Sequence, residues 1–135
     1  GGAKEGPVVP PLVYCAARGF KKSLAALIQH GADVNFRLQD GESALHAAAG
    51  SGQVAAVESL LSAKANPDTT NKGVTALFAA ARRGHLETVN SLLRAKANPA
   101  RSKKGPSGTP LAGAKAGGHM DVVRVLLEAM QAAKV

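Results

Sequence analysis

The sequence predicts an all-α solenoid of helix-turn-helix units, and three observations predict it. A pattern recurs: a leading leucine, a glycine seven residues later, and two adjacent large aliphatic residues fifteen residues later. It runs from Leu12 through Gly19 to Leu27-Ile28, and from Leu45 through Gly52 to Leu60-Leu61. It runs again from Leu77 through Gly84 to Leu92-Leu93, and from Leu111 through Gly118 to Leu126-Leu127. The leading leucines are 33, 32 and 34 residues apart, a period that belongs to stacked repeats. Between Gly41 and Asn66, an alanine-rich segment meets a Gly-Ser-Gly break at Gly50–Gly52. Val57, Leu60 and Leu61 then fall on one helical stripe at i, i+3, i+4. The first segment spans about two turns and is too short to hold a helix alone in water. Each hairpin therefore needs neighbours.

Specific motifs sit at fixed places in this period. Gly41–His46 reads GESALH, Thr75–Leu77 reads TAL and Thr109–Leu111 reads TPL. Gly84-His85 and Gly118-His119 fall between the helices, and Gly31–Asn35 (GADVN) closes the first unit. These units resemble ankyrin repeats over roughly residues 10 to 130, with Ser43 in place of the family's threonine. The resemblance implies helix pairs joined by extended, hairpin-like fingers. It divides the chain into an arm over 1–11 and repeats over approximately 12–38, 39–70, 71–103 and 104–135.

In order along the chain, Gly1–Pro11 is rich in proline and glycine and reads as an extended arm. Two readings apply to it: a loose terminus, or a segment whose Val8 and Val9 dock on a partner. The first unit has no preceding repeat and should act as a cap, with Arg18, Lys21 and Lys22 on its outer side. Gly31 stands where a helix end wants a left-handed residue. The first finger, Asp33–Gly41, places Phe36, Arg37 and Leu38 near its tip. Exposed apolar tips mark contact sites; packing against the next finger is the alternative. The second finger, Asn66–Val74, turns at Asn71-Lys72-Gly73. The third, Asn98–Thr109, is the longest and reads as a mobile loop because of Gly105, Pro106 and Gly108. The fourth unit opens with a weak helix, since Gly113, Gly117 and Gly118 each cost about 1 kcal/mol against alanine. Arg124, Glu128 and Lys134 should cover the last helix.

Composition narrows the function. The 135 residues suffice for one domain. Tyr14, Phe20, Phe36 and Phe78 are the only aromatics, which suits close helix packing. Cys15 is the only cysteine, so no intrachain disulfide forms, and its place in the first helix suits a buried small side chain. No stretch is long enough to span a membrane; Val122–Leu127 is short and broken by Arg124. No zinc spacing, phosphate loop or nucleophile–base pair is present. The expectation is a non-catalytic protein without cofactor or metal. The resemblance gives His46, His85 and His119 structural roles in holding turns.

The formal charge of +8 and pI near 10.1 point to an acidic partner or acidic surroundings. The resemblance places recognition on the finger tips and the exposed face of each first helix. That surface holds Tyr14, Arg18, Phe36, Arg37, Leu38, Lys72, Arg82, Arg83, Arg101, Lys103 and Lys104, together with Glu42, Ser51 and Val74. It is read either as a solvated basic face or as a groove for an acidic protein. Nucleic acid ranks lower, because no aromatic stacking platform accompanies the charge. Gly1-Gly2 without a methionine reads as a truncated, processed or engineered start. With the alanine-rich endings at 63–67 and 95–99, it motivates a second reading. There the chain is a small accessory subunit of a large organellar assembly, such as a photosystem, another membrane complex or a ribosome. Localisation is cytoplasmic by default, or plastid or mitochondrial after loss of a targeting peptide.

Overall fold

The computed structural model describes residues 11–133, so the arm's Val8 and Val9, and Lys134, lie outside the described residues. The chain forms four helix pairs. They are α1 (Pro11–Arg18) with α2 (Lys21–Gln29), α3 (Ala44–Gly50) with α4 (Val54–Ser62), α5 (Ala76–Arg83) with α6 (Leu86–Arg94), and α7 (Pro110–Gly117) with α8 (Met120–Ala133). Odd-numbered helices stack into an inner row and even-numbered helices into an outer row. Pro11 is the first residue of α1 rather than the last of an extended arm. At that position its missing N–H has no partner to lose, and its ring presets a helical φ.

Local chemistry sets the start of three inner helices. The hydroxyls of Ser43, Thr75 and Thr109 accept hydrogen bonds from the N–H of His46, Phe78 and Ala112, at 3.2, 3.3 and 3.2 Å. Each such cap contributes about 1 kcal/mol. Glycine with positive φ then reverses the chain at Gly19, Gly52, Gly84 and Gly118.

The core runs between the two rows. Leu24, Leu60, Leu77, Leu92 and Leu126 are fully buried. In the last three units the paired aliphatics divide their duties, whereas Leu27 and Ile28 of the first unit are both half-buried. Leu60, Leu92 and Leu126 enter the core, while Leu61 and Leu93 are only half-buried and Leu127 is exposed. Neighbours on a helix point about 100° apart, so one stripe does not bury both fully. In the inner row, alanines let helices approach closely, and α7 extends this with glycine. A Cβ on Gly113 would lie 2.9 Å from the Phe78 ring, and one on Gly117 would lie 2.5 Å from the Arg82 carbonyl oxygen. The glycines that weaken α7 as an isolated helix are what let it pack on α5.

The fingers are short. Antiparallel bridges pair Arg37 with Ser43 and Asn71 with Val74. Side chains stitch successive fingers together. The Asn66 N–H donates to Asn35 Oδ1 and the Asn98 N–H to Asp68 Oδ1, both at 2.8 Å. The third finger is folded rather than loose. Gly105–Gly108 forms a 3-10 turn, and the Lys103 N–H donates to the Gly73 carbonyl at 2.8 Å. The lysine-rich insertion lies on the second finger.

After the outer helices, the chain passes through a left-handed residue. This is Gly31 in the first unit, as expected, but Lys64 and Lys96 in the next two, at φ of 76° and 70°. Left-handed backbone costs a lysine about 1–2 kcal/mol, partly offset because glycine gains more freedom on unfolding. Lys64→Gly should therefore stabilise the protein by about 0.5–1 kcal/mol, read as a raised midpoint in a urea titration. A lowered midpoint would mean that Lys64 makes contacts outweighing its strain.

Candidate functional site

The inner row and the fingers border one concave face, where the recognition residues were expected. Tyr14 and Arg18 lie on α1 beside Phe20. The two rings meet edge-on at 5.8 Å, and the Arg18 guanidinium carbon stands 5.4 Å from the Tyr14 ring centre and 6.0 Å from that of Phe20. Both rings remain nearly half exposed. The first finger splits its expected tip residues. Phe36 is exposed, whereas Leu38 folds back and packs on the core. Arg37 is tied inward: its Nε donates to the Gly41 carbonyl at 3.2 Å and its terminal nitrogen to the Thr70 carbonyl. Its guanidinium thus fastens finger one to finger two.

The remaining cations form two groups. Lys72, Lys103 and Lys104 gather where the third finger lies on the second, and the Lys104 stem covers Gly73. Arg101 is exposed on the same third finger. Arg82 and Arg83 sit at the opposite end of α5, about 12 Å away for eight helical residues. Arg82 turns toward Gly113 of α7 and Arg83 toward α3. Lys72, Arg101, Lys103 and Lys104 thus stand at the finger end of α5, and Arg82 and Arg83 at its turn end.

Between α3 and α5 runs a groove with a floor of small residues, Ala47, Gly50 and Ala79. Glu42, His46 and Asn71 line its finger end and Arg83 its turn end. Glu42 accepts from Asn71 Nδ2 at 3.0 Å. Burial raises the Glu42 pKa above the usual carboxylate value, and Asp40 adds to this; the Asn71 hydrogen bond and the Lys72 charge oppose it. Asn71 Oδ1 is buried without a partner. The sequence reading placed Glu42 on the face but missed Asn71. Its only signal was the turn at Asn71–Gly73, which says nothing about a side chain 29 positions along from Glu42.

His46 is buried with both ring nitrogens engaged. Nε2–H donates to the Val74 carbonyl at 3.3 Å, so Nδ1 receives the Ser43 hydroxyl at 2.7 Å. Burial holds its pKa below 6.5; the Arg37 charge adds to this, and the carbonyls of Val74 and Thr69 oppose it. The unfolded chain therefore takes up a proton on this histidine at a higher pH than the folded chain does. Stability from His46 is full above about pH 6.5 and falls as pH drops through that value toward the folded-state pKa. We expect the thermal midpoint to fall between pH 7.5 and 5.5, more steeply than in His46→Gln; parallel profiles would contradict this. The raised Glu42 works in the opposite direction as pH falls, and it is common to both proteins in the comparison. His85 also holds a turn, its Nε2 bonding the Gly50 carbonyl at 3.2 Å.

Among the described residues, no cluster of three or more potential ligands could hold a metal ion, and no helix is long and apolar enough to cross a membrane. Stacked helix pairs, projecting fingers and a concave face define a repeat-solenoid class of protein. The family model for ankyrin repeats, in three copies, matches residues 12–103, more than half of the chain. The chain belongs to the ankyrin-repeat family, and a fourth helix pair, α7 with α8, follows the matched copies. No curated protein matches it. Ankyrin repeats are generally protein–protein interaction modules and generally non-catalytic.

Proposed function

We propose that this protein binds an acidic partner protein through its concave face and finger tips, without catalysing a reaction on it. One observation carries this reading: among the described residues, the cations of that face have no carboxylate partners. Among the described residues the only ion pair is Glu58–Arg94, at 3.6 Å on the outer helices, where Ser91 also donates to Glu58. Tyr14, Arg18, Phe36, Lys72, Arg82, Arg83, Arg101, Lys103 and Lys104 supply the contact residues, with Arg37 and Leu38 shaping the finger that presents them.

Unpaired surface charge speeds and orients encounter more than it deepens affinity. The test is the charge reversal Arg82→Glu with Arg83→Glu, using the partner captured with the wild-type protein. Association should slow and lose part of its salt dependence, while the thermal midpoint moves little, because exposed charges contribute little to folding. An unchanged on-rate and salt slope would remove the basic face from the interface and leave the exposed Phe36 tip as its centre.

A further inference from the structure

The α3–α5 groove is polarised. Its finger end holds the Glu42 carboxylate, which receives one side-chain hydrogen bond, from the Asn71 amide; the unpartnered Asn71 Oδ1 is itself buried against Gly41 and not open to a ligand. Both His46 nitrogens are already committed to Ser43 and Val74, so the histidine offers no donor there. Lys72 lies near enough to act on Glu42 through its charge, yet forms no ion pair with it. The turn end holds the exposed Arg83 guanidinium, with no carboxylate partner among the described residues. Between the two ends lie only small side chains.

We infer that this groove takes a lysine or arginine side chain of the partner protein against Glu42, with a carboxylate of the same partner segment on Arg83. The inference rests on the reading of the concave face as a protein-binding surface and specifies what that surface selects. A half-buried carboxylate with a single hydrogen bond gains most from a cation that replaces its lost water. The small floor leaves room for the aliphatic stem of such a side chain. The ends are separated by about 12 Å, the rise of the eight-residue α5. An extended peptide covers that distance in about three to four residues. The partner segment is therefore acidic overall but carries one basic anchor, with an acidic residue about three positions away.

The probe is the capped tetrapeptide Glu-Ala-Ala-Lys, titrated into the full isotope-labelled chain and followed by backbone amide shifts. Saturable shifts are expected at Gly50, Ser51 and Asn71. Replacing the peptide lysine by norleucine, which keeps the stem and removes the charge, should weaken binding by about tenfold. Glu42→Gln should weaken binding of the lysine peptide similarly, leave the norleucine peptide unaffected, and still accept from Asn71. If Glu42→Gln proves poorly folded, the two peptides on the wild-type chain decide the question. Equal affinities for them, an absence of saturable shifts, or shifts confined to Lys103 and Lys104 would each overturn the inference. That failure is separate from failure of the basic-face reading, which the Arg82 and Arg83 reversal reports.

Discussion

Leu60→Ala should lower the unfolding free energy by about 2–5 kcal/mol, the range for leucine truncation in a closed core. Leu60 is fully buried and belongs to the single cluster that joins the units. Truncation loses the transfer free energy of the removed carbons and leaves a cavity that rigid helix pairs close only in part. In a solenoid each unit contacts only its neighbours, so weakening the second unit also weakens its coupling to the first and third. The adjacent Leu61→Ala is the internal control. Leu61 is half-buried, so its loss should cost clearly less than that of Leu60. Urea titrations of both variants give the comparison. Equal losses, or a Leu60→Ala loss below about 1 kcal/mol, would mean that the register of α4 is wrong.

Gly52→Ala should cost about 2–4 kcal/mol, from two sources that the neighbouring variants separate. Gly52 has φ of +70°, where a Cβ carries a backbone penalty of about 1–2 kcal/mol. The same Cβ would stand 2.8 Å from Nδ1 of His85, whose ring packs on this turn and bonds the Gly50 carbonyl. Gly31→Ala supplies the backbone penalty alone, because φ there is +92° and nothing lies within 4 Å of a Cβ. Combining Gly52→Ala with His85→Ala should cost less than the sum of the two single changes, since the clash needs both partners. Additive losses would show that the ring yields without strain, and that the glycine serves only its own backbone.

Much of this architecture is written locally. The spacing of Leu12, Leu45, Leu77 and Leu111 fixes the unit. Ser43, Thr75 and Thr109 start helices through contacts three residues ahead, and Gly19, Gly52, Gly84 and Gly118 end them through their own φ. None of these effects depends on a distant part of the chain, so the sequence displays them directly. The outer surface at Arg124 and Glu128 is legible for the same reason, since exposure follows from helical phase.

The candidate site is less legible, because its decisive contacts join residues about one repeat apart. Arg37 reads as a free cation at a tip until the Thr70 carbonyl, 33 positions on, takes its guanidinium. Glu42 reads as one surface carboxylate among several until Asn71 meets it across the groove. Gly105, Pro106 and Gly108 read as a loose loop until Lys103 bonds Gly73. The sequence by itself determined the period, the approximate extent of most helices and the basic net charge, since propensity, capping and charge are properties of short segments. The tertiary structure alone decided which cations are tied into the fingers, which stand at opposite ends of α5, and where the Glu42 carboxylate is partly buried against Asn71. Those properties depend on distances between stacked units, which one-dimensional spacing does not encode.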